Sequence, residues 1–117
     1  MYHKELLKGN TETLLLSLLA GEVMYGYQIV KEMEKRSSGY FQFKEGTLYP
    51  ALHRLEEGGL VEGKWGEDDP AVPRRYYHIT VKGKRMLEER LSEWQRFANA
   101  VNSVMQPQIP ERLLRRP

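Results

Sequence analysis

Between residues 87 and 105 an apolar residue returns at every third or fourth position: Leu87, Leu91, Trp94, Ala98, Val101 and Met105, at intervals of 4, 3, 4, 3 and 4. That alternation marks a helix with one continuous apolar seam, the pattern that pairs helix with helix. Phe97 and Val104 widen the strip. One helix cannot cover such a strip alone, and only a small domain precedes it. Self-association is the direct solution, giving a homodimer whose interface is these six residues. The alternative is a helix folded back on its own domain. Thr80 is a suitable N-cap for the helix. Pro107 and Pro110 forbid its clean continuation. The expected dimerisation helix therefore spans residues 80–105, and residues 106–117 form a basic tail with three arginines against one glutamate.

The chain ahead of this helix, residues 1–79, has the length of one small domain. The sequence contains no cysteine, which removes disulfides, thiolate metal sites and thiol nucleophiles from consideration and fits a reducing cytosol. No apolar run approaches the ~20 residues that span a bilayer. The longest greasy stretch, residues 14–20, contains Ser17 and lacks signal-peptide flanks. A soluble, cytoplasmic protein without a membrane partner is expected. The net charge is +2, and the tail's surplus accounts for all of it. Nucleic-acid binding would have to rest on local placement of Lys and Arg.

Within residues 1–79 the leucines Leu14, Leu15, Leu18 and Leu19 follow helical spacing after Asn10 or Thr11 as cap, and Gly21 is a plausible stop. A short break at residues 21–24 leads to a second helix over residues 25–36, with Ile29, Val30 and Met33 inward and a stop at Ser37-Ser38-Gly39. A third, short helix carries Leu48, Leu52 and Leu55 on one side. Pro50 lacks an N–H and is best tolerated in a first turn, so the helix is expected to start with Thr47 as N-cap and to end at Gly58-Gly59. Residues 60–65 and 74–79 read as strands around an eight-residue loop, 66–73. Tyr77 and Ile79 should face inward, with Tyr76 and His78 on the other side. The predicted fold is mainly α with a small β-hairpin: a winged helix-turn-helix followed by a long C-terminal dimerisation helix.

The third helix keeps its chemistry outside. Its leucines anchor it, which leaves Thr47, Tyr49, His53 and Arg54 on or near the outer face. Arg54 can hold a guanine edge or a phosphate, Thr47 and His53 can bond bases or phosphates, and Tyr49 can pack on a sugar or thymine methyl. The plainer alternative leaves His53 and Arg54 solvated and Tyr49 packed partly on the hairpin. Lys64, Arg74 and Arg75 at the hairpin suit phosphates or a minor groove, or else protect an edge strand by charge. Glu67, Asp68 and Asp69 at the loop tip would repel a phosphate backbone. Tyr25 and Tyr27 open the second helix, where a hydroxyl or an N–H can meet a phosphate; the alternative is that Gly26 permits close packing and one tyrosine is core. Enzyme chemistry finds no support: His3, His53 and His78 lie in separate elements without metal-ligand spacing, and no phosphate loop or nucleophile motif is present.

The segments YGYQI at 25–29, GTLYPAL at 46–52, RLE at 54–56 and GLV at 59–61, with RYYHIT at 75–80 and Gly83, together resemble PadR-type transcriptional regulators. The resemblance covers most of residues 9–105. It implies a winged helix-turn-helix, homodimers built through the C-terminal helix, and in most members repression. It places Thr47, Tyr49, His53 and Arg54 in the major groove, Tyr25, Tyr27 and Lys44 near phosphates, and Arg74 and Arg75 in the wing. The single C-terminal helix is like that of the shorter subfamily, some of whose members bind flat aromatic compounds in the dimer cleft. Trp94 is then a candidate stacking residue for an aromatic effector, with a structural role in the interface as the alternative. The expected function is that of a homodimeric repressor of a palindromic operator in double-stranded DNA, without cofactor, metal or enzymatic activity. The competing reading is a winged-helix protein-interaction module, or a dimeric small-molecule binder without DNA function.

Overall fold

The computed structural model describes residues 9–106; the first eight residues, with His3, and the expected basic tail beyond residue 106 lie outside the described residues. The elements in chain order are helix α1 (Thr11–Gly21), strand β1 (Met24–Tyr25), helix α2 (Gly26–Arg36), helix α3 (Glu45–Glu57), strands β2 (Val61–Trp65) and β3 (Arg75–Ile79), and helix α4 (Val81–Met105). The chain is mainly helical with a small antiparallel sheet, as the sequence leads one to expect. No helix among the described residues is long and apolar enough to cross a membrane.

The sheet has three strands in the order β1-β3-β2, one more than the expected hairpin. Met24, expected in the break, and Tyr25, expected to open the second helix, instead pair antiparallel with β3, Met24 opposite Tyr77 and Tyr25 opposite Tyr76. Two residues are too few to show alternation, so this strand has no period to detect. In the hairpin itself Val61 pairs with Ile79, Gly63 with Tyr77 and Trp65 with Arg75. Tyr77 is buried and Ile79 packs against the core, which puts both on the inward face.

Helix α1 buries Leu15, Leu16, Leu18 and Leu19, with Leu14 partly covered. Leu16 falls outside the expected stripe because α1 packs against α2, α3 and β3 at once, so its apolar face is wide. Helix α2 turns Ile29 and Met33 inward.

Helix α3 begins earlier than its proline suggested. Lys44, not Thr47, is the N-cap, with extended backbone, and the Leu48 amide donates to the Lys44 carbonyl at 2.9 Å. Pro50 therefore lies in the second turn, and the Gly46 carbonyl finds no amide four residues on. Gly46 is exposed, so water can take that place at modest cost. The helix ends as anticipated at the glycine pair: Gly59 is left-handed (φ 75°). Its amide donates to the Glu56 carbonyl at 3.0 Å, and that of Leu60 to Leu55 at 2.9 Å, a Schellman closure that satisfies the last carbonyls.

Thr80 caps α4 as expected. Its hydroxyl accepts the Gly83 amide at 3.0 Å and lies 2.7 Å from the Gly59 carbonyl oxygen, to which it can donate. Lys82 Nζ donates to the Gly58 carbonyl at 2.8 Å. A Cβ on Gly83 would fall 2.8 Å from Ile79 Cγ1 and 3.0 Å from the Leu60 carbonyl carbon, so only glycine permits this approach.

The chain divides into two compact units between Leu87 and Glu88, inside α4. The first unit holds the core, in which Leu48, Ala51, Leu52 and Leu55 of α3 join the leucines of α1. Leu87 belongs to that core too: it is buried in its own domain and does not open the pairing seam as the heptad count had placed it. The second unit consists, within the described residues, of the remaining turns of α4. There Leu91, Trp94, Phe97, Val104 and Met105 are exposed, Ala98 and Val101 half-buried.

Candidate nucleic-acid interface

Because Leu48, Leu52 and Leu55 pin α3 to the core, the opposite side of the helix is solvent-facing by geometry. Thr47, Tyr49, His53 and Arg54 all lie on it, and Lys44 is exposed at its N-cap. The sequence groups the first four on one helix, and the structure adds Lys44 at the start of that helix.

Tyr49 also reaches from α3 to the start of α2. Its ring covers Gly26: a Cβ built there would sit 2.9 Å from Tyr49 Cζ and 3.3 Å from Cε1, and closer still to the hydroxyl. Gly26 thus serves close packing, the structural alternative for the YGY segment. The two flanking tyrosines differ. Tyr27 is 62% exposed, with Lys31 Nζ over its ring at 5.4 Å. Tyr25 is half-buried at the sheet edge, edge-on to Tyr76 at 5.4 Å, with the Arg74 guanidinium 4.8 Å from its ring centroid. The Tyr25 amide donates to Gln28 Oε1 at 3.1 Å, closing the N-terminus of α2.

Several basic groups at this surface have a carboxylate beside them. Arg54 Nε pairs with Glu12 of α1 at 3.2 Å, His53 Nε2 lies 3.2 Å from Glu57, and Lys64 Nζ is 3.2 Å from Glu62. These are exposed pairs, each worth roughly 0–1 kcal/mol, and a phosphate can replace the carboxylate cheaply.

Arg75 differs from them. Only 36% of its side chain is exposed, and it turns inward to Glu56 of α3, which is 31% exposed. It also lies against Trp65 and Tyr77, each ring centroid 5.9 Å from Cζ. Its Nε is buried and makes no hydrogen bond to another described residue. Of the two arginines expected to suit phosphates, Arg75 is thus turned to Glu56 in this conformation. Paired arginines in a sequence do not say which one turns in; β3 alternation decides it, sending Arg74 toward Tyr25 and Arg75 toward α3. Glu12 and Glu56 went unnoticed in the sequence because an acidic residue on a helix gives no sign of what faces it. At the wing tip Tyr76 Oη donates to Asp68 Oδ2 at 3.3 Å, and the Ala71 amide to Asp69 Oδ1 at 3.0 Å, so two of the three carboxylates are engaged locally. Among the described residues no three metal-ligating side chains gather in one place.

A short helix carrying polar and aromatic groups outward, backed by a second helix and followed by a wing, defines a winged helix-turn-helix. Residues 15–89 match the model of the transcriptional regulator PadR-like family. The chain belongs to that family of DNA-binding transcriptional regulators. It is 32% identical over 106 residues to an uncharacterised protein of Lysinibacillus sphaericus, covering 91% of this chain and 97% of that one. A transcriptional regulator from Clostridium thermocellum has a similar structure, with a TM-score of 0.80, 32% identity and coverage of 86% of this chain and 98% of that one. A PadR-family transcriptional regulator from Eggerthella lenta superimposes with a TM-score of 0.76 at 33% identity, covering 87% of each chain.

Proposed function

We propose that the protein acts as a homodimeric repressor that reads a palindromic duplex through α3. The carrying observation is the division of α3 into a buried leucine side and an outer side bearing Thr47, Tyr49, His53 and Arg54. In this reading Arg54 and His53 exchange their carboxylates for bases or phosphates, and Tyr49 and Thr47 complete the major-groove contact. Lys44, Tyr25 and Tyr27 meet phosphates from the ends of α3 and α2, while Lys64 and Arg74 do so from the wing. Leu91, Trp94, Ala98, Val101 and Met105 pair two copies, whose α3 helices enter grooves about one turn, ~34 Å, apart. Occupying the operator excludes other proteins from the promoter.

Selection of duplexes from a random pool at two salt concentrations tests this reading. An inverted repeat is the expected product, with an affinity that falls steeply with salt. Recovery of no sequence preference, or a well-folded monomer without affinity for any duplex, would instead favour a protein-interaction module.

A second reading concerns release. Trp94 and Phe97 stand 5.9 Å apart with ring planes inclined by 33°, and both are exposed. Such a pair suits a flat aromatic effector. Quenching of Trp94 fluorescence by planar aromatics, with loss of DNA affinity at the same concentrations, supports it. Absence of quenching across a broad panel assigns Trp94 to the dimer interface alone.

A further inference from the structure

Arg75 opens β3, and its Nη2 donates to Glu56 Oε2 in the last turn of α3. The same nitrogen reaches the Gly63 carbonyl oxygen of β2 at 3.4 Å, and Glu56 Oε2 also accepts the Gly63 amide at 3.3 Å. One carboxylate and one guanidinium thus join α3 to both strands of the wing. Gly63 belongs to the arrangement: a Cβ there would fall 2.6 Å from Arg75 Nη2 and 2.8 Å from Cζ, so a side chain at this position would require the guanidinium to shift.

The alternative role, a direct phosphate contact by Arg75, conflicts with this geometry. To turn outward Arg75 would abandon Glu56 and both its flanking rings. It would leave a partly buried carboxylate near the DNA backbone, where its charge repels phosphate.

We propose that Glu56 and Arg75 are a positioning pair that sets the angle of the wing to α3, and that Arg75 supports DNA binding through this brace. The inference rests on the DNA-reading role of α3 given above. Glu56 is the informative member, because removing its negative charge helps a phosphate-binding surface electrostatically and harms only a brace.

The test compares the full chain with Glu56→Gln, Arg75→Gln and the double variant. DNA affinity is measured on the selected duplex, at a temperature where circular dichroism shows every variant fully folded. Amide exchange of β2 and β3 is measured without DNA. The brace predicts that both single variants weaken binding by about tenfold, between the surface and buried cases for an ion pair. The double variant is then no weaker than either single one. Exchange at Gly63 and its neighbours in the wing accelerates equally in both, while α1 keeps its protection. A direct phosphate contact predicts that Arg75→Gln alone weakens binding and lowers the salt slope by about 0.9, whereas Glu56→Gln binds as tightly as the parent or tighter. That outcome, or unchanged wing exchange in Glu56→Gln, overturns the proposal. A merely structural pair would accelerate exchange and leave the affinity of the folded variants unchanged, which also overturns it. If the parent binds no duplex, the DNA-reading role fails, and the exchange measurement still decides whether the pair holds the wing.

Discussion

Replacing Gly26 by alanine should separate stability from DNA binding. The new Cβ would stand 2.9 Å from Tyr49 Cζ, where carbon atoms ordinarily keep ~3.5–4.0 Å, so the ring must withdraw by roughly 1 Å. Tyr49 is 44% exposed, so the outward path is open. An off-rotamer swing of the ring costs about 0.5–1.5 kcal/mol. Gly26 is the first residue of α2, and Gly→Ala in a helix returns about 0.5–1 kcal/mol. The two terms nearly cancel, and urea denaturation should find the variant within about 1 kcal/mol of the parent. Binding should respond differently. If Tyr49 holds its hydroxyl against the DNA, displacing it forfeits a hydrogen bond to a charged group, worth about 1.5–3 kcal/mol, or at least tenfold in affinity. Fluorescence anisotropy with a labelled operator reads that loss. Tyr49→Ala is the control: Gly26→Ala in its background should have no further effect on affinity, because the atom it strikes is gone. Parental affinity in Gly26→Ala would refute the role of Tyr49, and a loss of several kcal/mol in stability would refute the free swing of its ring.

Four other substitutions test separate parts. Glu12→Gln removes the carboxylate that competes with DNA for Arg54, so operator affinity should rise by up to about fivefold, while Arg54→Ala should cost about 1–3 kcal/mol; weaker binding by Glu12→Gln would mean that Glu12 presents Arg54 instead of competing for it. Gly59→Ala forces a side chain into the left-handed region at φ 75° and should lower stability by about 1–2 kcal/mol, with no shift in the urea midpoint as the disproving result. Burial chiefly, with Glu56 and Tyr49 nearby, raises the Tyr77 pKa against the opposing pull of Arg75. The fold thus favours the neutral phenol. That contribution is complete below the ordinary value of 10.0 and disappears as pH rises through the raised folded value. Tyr77→Phe should therefore flatten the alkaline fall in stability above about pH 10, and an unchanged alkaline limb would contradict the shift.

Most of this architecture was legible because it is written in period. The leucines of α1 and α3, the alternation at Tyr77 and Ile79, and the hydroxyl of Thr80 before a helix each follow from local chemistry. What escaped was non-local. Strand β1 exists because β3 offers an edge to Met24 and Tyr25, not because two residues favour extension. Helix α3 reaches back to Lys44 because the carbonyl that Pro50 leaves without an amide belongs to exposed Gly46, where water can serve, so the preference of proline for a first turn is overridden at modest cost. Leu87 fits the heptad as well as Leu91 does, yet the domain core claims it, since spacing alone cannot say where one packing partner ends. The outer side of α3 was visible by subtraction once its leucines were assigned. The carboxylates that face Arg54 and Arg75 were not, because Glu12 lies 42 residues from the one and Glu56 19 from the other.

At Thr80 one small hydroxyl ties the start of α4 to the glycine pair that closes α3. Beside it Gly83 presses backbone on backbone against Leu60, with no side chain between to act as a cushion. The first turn of α4 is therefore seated on bare backbone, and any side chain at position 83 would pry that turn away from Leu60.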